Sequence, residues 1–124
     1  MKIAVVTGAS SGMGCDFAKG IDAEERLDEI WLIARRRDRL EELSRELRAR
    51  TRIIPLDLQD PASFKEYEAL LKSEQPNVST LCNAAGFGRF ALFDEVDLET
   101  NLGMIDLNDK ATVAMTQLTL PYMK

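Results

Sequence analysis

Short apolar runs alternate along this chain with stretches whose apolar residues return every three or four positions. The first run, Ile3-Ala4-Val5-Val6, predicts a strand from Lys2 to Val6 or Thr7. Met13, Phe17 and Ile21 then share a helical spacing, which predicts a helix from the last glycines to about Ile21. Asp22 to Asp28 is acidic and polar and reads as the helix end and the loop beyond. Ile30 to Ala34 is a second unbroken apolar run, the kind of strand that helices cover on both faces. Leu40, Leu43 and Leu47 form the next helical stripe, and Asp38 with Glu41 has capping-box spacing at its start. Arg52 to Leu56 predicts a third strand. Asp60-Pro61 pairs a cap with a proline that suits the first helical position, and Phe64, Tyr67, Leu70 and Leu71 line the helix that follows. Gln75-Pro76-Asn77 is a loop, Val78 to Cys82 a fourth strand, and Ala84 to Arg89 a glycine-bearing loop. The last helix is expected to begin near Asp97 or Thr100 and reach about Met123, with Ile105, Asn108, Thr112, Met115 and Thr119 on one face.

Strands alternating with helices imply parallel pairing through right-handed crossovers, a doubly wound α/β sheet. A chain of 124 residues fits one domain, residues 1–124, and no repeat or linker divides it. The net charge of −5 argues against nucleic acid as a partner. No apolar run approaches the ~20 residues that span a bilayer, so no membrane segment is expected. The two cysteines, Cys15 and Cys82, form no metal-binding spacing, and the absence of histidine removes Ser-His-Asp and Cys-His catalysis. A cytoplasmic location with both thiols reduced is the expectation.

Chemistry enters at Thr7 to Gly14, Thr-Gly-Ala-Ser-Ser-Gly-Met-Gly, between the first strand and the first helix. Glycines at 8, 12 and 14 suit a sharp turn off the strand, a close backbone approach to a phosphate, and tight helix packing on the sheet. A helix start also favours an anion through its N–H groups and dipole. A tight turn without a ligand has the same glycines, and the spacing is neither G-x-G-x-x-G nor a P-loop. About 20 residues on, where a carboxylate would hold a ribose 2′-hydroxyl, the chain has Ala34 followed by Arg35 and Arg36. Guanidinium groups there suit a 2′-phosphate, and so favour NADP(H) over NAD(H); a solvated arginine turn is the plain alternative. Cys15, at the helix start, reads as a small packing residue rather than a reactive thiolate.

The octapeptide resembles the cofactor loop of the short-chain dehydrogenase/reductase family, with Met13 where that family more often has Ile. The resemblance implies a Rossmann-like fold with strands ordered 3-2-1-4 and helices on both faces. It implies that Gly8, Ser10, Ser11, Gly12, Met13 and Gly14 meet the pyrophosphate and ribose of the cofactor. It further implies that Asp57, followed by Leu58, accepts a bond from the adenine amino group, although an Asp there also caps a turn. Asn83-Ala84-Ala85-Gly86 is similar to the family's Asn-Asn-Ala-Gly segment, which supports the sheet and lines the cofactor with backbone. Asn108 matches an Asn that serves a proton relay in the family; a structural hydrogen bond is the reading from periodicity alone.

The implied reaction is hydride transfer between a nicotinamide and a small-molecule carbonyl or alcohol. The family's catalytic Tyr-x-x-x-Lys pair does not occur in this sequence, and Tyr122-Met123-Lys124 matches a helix terminus instead. The resemblance therefore covers the cofactor-binding half, with the domain ending before the family's fifth strand, and the chain alone is expected to be inactive. A non-catalytic dinucleotide-binding or regulatory module, or a self-associating fragment, is the alternative. Without a fifth strand the edge of Val78 to Cys82 lacks partners, and Met104, Leu107, Met115, Leu118 and Met123 would be partly exposed. Both features predict a homo-oligomer.

Overall fold

A computed structural model describes residues 1–10, 12–84 and 110–123. In chain order the described elements are β1 (Lys2–Thr7), α1 (Gly12–Glu24), β2 (Glu29–Ala34), α2 (Arg37–Ser44), β3 (Arg50–Pro55), α3 (Pro61–Glu74), β4 (Asn77–Asn83) and α4 (Ala111–Thr119), with a final 3₁₀ turn at Leu120–Tyr122. The strands form one parallel sheet in the order β3-β2-β1-β4. Thr7 is in register with Ile33 on one side and Asn83 on the other, and Ala34 with Pro55. The carboxyl ends of all four strands therefore lie along one edge. The chain builds outward from β1 to β3 and then crosses to β4, so this edge includes a topological switch point beside β1.

Alternation along the strands gives each face its own core. Ile3, Val5, Trp31 and Ile33 pack with Tyr67 and Leu71 of α3 and with Ala111 and Met115 of α4. Val6, Ile30, Leu32 and Ala34 pack with Ala18 of α1 and with Leu40 and Leu43 of α2. This explains why the β1 and β2 sequences read as unbroken apolar runs. Asp60 caps α3 as its sequence predicts, its carboxylate accepting from the Ala62 N–H at 3.0 Å, with Pro61 at the first position. Tyr67 donates to or accepts from Thr119 Oγ1 at 2.8 Å, joining α3 to α4, and burial pushes its phenol pKa up to about 12.

Several local expectations give way to packing. The buried residues of α1 are Gly14, Ala18 and Asp22, whereas Met13 and Phe17 face outward. Small residues on the inner face let α1 lie close to the sheet, and the larger side chains turn away. Asp22 is not a loop residue. The helix runs on to Glu24, and the Asp22 carboxylate accepts from the backbone N–H of Arg48 at 2.7 Å and of Ala49 at 3.0 Å. The Arg48 guanidinium also donates to the Asp22 carbonyl. No capping box forms at α2: Arg36 occupies the cap, and Asp38 sits in the first turn bound to the Arg36 guanidinium. The stripe Leu40, Leu43, Leu47 outlasts the helix, which ends at Ser44, although Leu47 still packs against the core.

The inward residues of α4 are Ala111, Met115 and Thr119, one turn apart, and Thr112 is exposed. Met115 is fully buried, contrary to the expected exposed patch, because it enters the core beneath α3. Leu118 and Met123 are half-buried, while Val113 and Leu120 are exposed. The outer edge of β4 is not bare along its whole length either: Val78 makes a parallel bridge with Met123. Met104, Ile105, Leu107 and the predicted start of the last helix lie outside the described residues.

Candidate cofactor site

The site grows from the turn after β1. Gly8 takes a left-handed conformation, φ 64°, which lets the backbone leave the strand sharply. Ala9 N–H then donates to the Ile33 carbonyl at 3.3 Å, fixing the loop to the end of β2. A Cβ on Gly14 would lie 2.0 Å from the Gly8 carbonyl oxygen, so α1 can begin this close to the turn only with glycine there. A Cβ on Gly12 would meet nothing within 4 Å. Gly12 is thus not required by packing, and the space beside it is open to a ligand. Cys15 Sγ donates to the Ala9 carbonyl at 3.0 Å, and burial raises its thiol pKa, which agrees with a packing role.

The neighbouring loops arrive at the same edge. Thr7 Oγ1 donates to the Cys82 carbonyl at 3.4 Å, tying β1 to β4. Asn83 Nδ2 donates to Thr116 Oγ1 at 3.2 Å, anchoring the end of β4 to α4. Asp57 caps the turn after β3: its carboxylate accepts from Gln59 N–H at 3.0 Å, and its carbonyl accepts from Ser63 Oγ at 2.6 Å. Leu58 is buried in the core beneath.

Beyond β2 the glycine turn and α2 border a cleft of about 420 Å³, lined by residues that include Ser10, Cys15, Arg36, Asp38, Arg39 and Glu42. Arg36 Nη2 contacts Asp38 Oδ2 at 3.0 Å, which holds the Asp38 carboxyl below its ordinary pKa. Arg35 is exposed beside this cleft in sequence but is not part of its wall. Counting along the sequence reaches Arg35 and Arg36, of which Arg36 alone walls the cleft, and does not reach Arg39; its position one turn past the Arg36 cap is the available signal.

The structure thus brings together Gly8, Ser10, Gly12, Met13, Gly14, Arg35, Arg36, Asp57, Leu58, Asn83 and Ala84 at the carboxyl edge of the sheet. Ser11, Ala85, Gly86 and Asn108 lie outside the described residues. Among the described residues there is no cluster that could hold a metal ion, and no helix is long and apolar enough to cross a membrane.

A family model described as short chain dehydrogenase matches residues 2–124. An uncharacterized oxidoreductase of Staphylococcus epidermidis is 30% identical over 122 residues, covering 98% of this chain and 52% of the relative. The NADP-dependent 3-hydroxy acid dehydrogenase YdfG of Escherichia coli is 34% identical over 123 residues, covering 98% of this chain and 48% of the relative. L-sorbose reductase from Gluconobacter frateurii, solved with NADPH and L-sorbose, superposes with a TM-score of 0.80 at 29% identity, over 98% of this chain and 47% of that one. The chain spans about half the length of the curated relatives it matches.

Proposed function

Because the chain belongs to the short-chain dehydrogenase family, we propose that it forms the cofactor-binding part of an NADP(H)-dependent oxidoreductase acting on a small carbonyl or alcohol. The observation that carries the cofactor choice is the end of β2, where Arg35 and Arg36 stand in the place of a carboxylate that would select NAD(H), and where the cleft wall sets Arg36 and Arg39 against Asp38, Glu42 and Glu46. The NADP-dependence of the Escherichia coli relative supports the same choice. The fit of a dinucleotide rests on the open space at Gly12 beside a turn that Gly8 and Gly14 shape.

In this reading, Gly8, Ser10, Ser11, Gly12, Met13 and Gly14 receive the pyrophosphate and ribose, Arg35 and Arg36 receive the 2′-phosphate, and Asp57 with Leu58 borders the adenine. Asn83, Ala84, Ala85 and Gly86 line the cofactor with backbone. The Asn83–Thr116 bond would keep that segment in place. The bound nicotinamide supplies or accepts the hydride. Asn108 serves the proton relay of the complete enzyme, and a cytoplasmic location is part of the same proposal. The acid/base pair Tyr-x-x-x-Lys is not within these 124 residues. A dinucleotide-binding module without catalysis of its own is the second reading.

Calorimetric titration of the 124-residue chain with NADPH and NADH at one salt concentration tests the cofactor. NADPH should bind at least about tenfold tighter, as a charge-assisted contact to the extra phosphate would give. Arg35→Asp should reverse the order; equal affinities, or tighter NADH, would overturn it. In the same preparation, reduction of a panel of aldehydes and ketones should stay at background. Measurable turnover would show that the chain carries an acid/base group this reading lacks.

We also propose that the chain self-associates. Val113 and Leu120 are exposed apolar residues on and just after α4, at 63% and 56%. Among the described residues, the Val78–Met123 bridge is the pairing on the outer edge of β4. Light scattering after size exclusion should give a dimer or larger species. A particle of 13.9 kDa, the mass of one chain, that persists on concentration would refute this.

A further inference from the structure

We propose that Arg39, rather than Arg36 alone, determines the preference for a 2′-phosphorylated nucleotide, an inference that rests on the cofactor reading above. Three consecutive arginines follow β2: Arg36 and Arg37 are committed to carboxylates, and Arg35, which has no ion pair among the described residues, is not part of the cleft wall. Arg36 is paired with Asp38 at 3.0 Å and Arg37 with Glu41 at 3.0 Å. A phosphate reaching Arg36 meets a guanidinium that a neighbouring carboxylate already neutralises, so it must share or displace that partner. Arg39 lies in the first turn of α2, three residues past the Arg36 cap, in the wall of the same cleft as Ser10 and Cys15. It is exposed, and no carboxylate among the described residues stands within ion-pair distance of it.

The charges of the cleft sharpen the point. Its wall carries Arg36 and Arg39 against Asp38, Glu42 and Glu46. Arg36 and Asp38 neutralise one another, and Lys19 pairs with Glu46 at 3.4 Å. What remains is one cation, Arg39, and one anion, Glu42. With Arg39 removed, the wall would present a net negative charge to an incoming phosphate. With Glu42 neutralised, the same wall would become more attractive to it.

The test uses two probes that differ only in the phosphate: adenosine 2′,5′-bisphosphate and 5′-AMP. Each is titrated against the 124-residue chain and its variants at low ionic strength, where exposed charges are least screened. The parent chain should prefer the bisphosphate. Arg39→Ala should lose about tenfold in bisphosphate affinity while binding of 5′-AMP stays unchanged. Arg39→Lys should keep part of the preference, and Glu42→Gln should strengthen it. Circular dichroism should show all three variants folded, since both residues are exposed. A parent chain that binds the bisphosphate no tighter than 5′-AMP would overturn the cofactor reading, and this inference with it. A parent chain that does prefer the bisphosphate, with Arg39→Ala retaining the full preference, would overturn the role of Arg39 alone.

Discussion

Gly14→Ala should leave little folded protein, whereas Gly12→Ala should fold as well as the parent chain and lose nucleotide affinity. The added methyl at Gly14 would stand 2.0 Å from the Gly8 oxygen, 2.7 Å from the Gly8 carbonyl carbon and 3.0 Å from Ala9 Cα. All three are backbone atoms, and none can rotate away as a flexible side chain would. The turn cannot drift either, because Ala9 N–H is bonded to the Ile33 carbonyl and Cys15 Sγ to the Ala9 carbonyl. Relief must come from moving α1 off the sheet, which would unpack Ala18 from Val6 and Leu32. Overpacking a well-filled site costs about 1–3 kcal/mol when side chains can adjust. With backbone on every side the loss should reach about 3 kcal/mol or more, a large share of the 5–15 kcal/mol that holds a typical domain together. At Gly12 a methyl meets open space, and alanine suits a helix start at least as well as glycine. That methyl would instead occupy the space proposed for the pyrophosphate. Urea denaturation followed by circular dichroism, with NADPH titration of whichever variant folds, separates the two roles. A parent-like midpoint for Gly14→Ala would mean that the helix start is looser than its packing indicates.

The contrast between the two glycines also shows what the sequence could and could not reveal. The octapeptide marks a strand–turn–helix because its glycines serve local backbone needs, and those are visible within eight residues. The alternation of apolar runs and helical stripes gives the parallel sheet for a similar reason: period follows from element type. Which side of a helix faces inward is less local. On α1 the eye follows Met13, Phe17 and Ile21, yet the sheet takes Gly14 and Ala18, because close packing selects small residues that carry little hydropathy signal. On α4 the same effect hides Ala111 and makes Thr112 look buried.

Charged residues were harder still to place. Asp22 is a buried carboxylate whose partners are backbone groups at 48 and 49, far along the chain, so no spacing rule finds it. Asp38 looked like a cap, but a guanidinium two residues earlier competes for its carboxylate and takes it. The same competition bears on the candidate site. Counting residues from the glycine turn reaches Arg35 and Arg36 at the end of β2, but only the ion pairs among the described residues reveal that Arg36 is paired with a carboxylate while Arg39, in the same cleft wall, is not. For Ser11, Ala85, Gly86 and Asn108 the sequence pattern stands alone, since they lie outside the described residues.

Trp31→Ala should cost about 3–5 kcal/mol, the range for truncating a large aromatic in a core that cannot collapse around the gap. Trp31 is fully buried at the centre of β2, on the face that α3 and α4 cover. Its ring meets Tyr67 edge-on, with centroids 6.5 Å apart and planes at 85°. The Arg52 guanidinium lies 5.6 Å from the ring centroid, and the indole N–H donates to Glu29 Oε1 at 3.1 Å. Removing the indole therefore leaves a cavity beneath Tyr67, and Tyr67 is the residue whose hydroxyl bonds Thr119 on α4. That helix in turn holds Asn83 through Thr116, so the loss should reach the cofactor edge as weaker nucleotide binding. Trp31→Phe keeps an aromatic edge for Tyr67 and gives up the bond to Glu29. It should lose no more than about half as much as the alanine variant. Because Trp31 is the protein's one tryptophan, both variants are followed by circular dichroism in urea rather than by its fluorescence. If Trp31→Ala unfolded at the parent midpoint, the layer of α3 and α4 would be held by something other than this core. If it were destabilised but bound NADPH as tightly as the parent, the path from Trp31 through Tyr67 and Thr119 to Asn83 would not carry the strain.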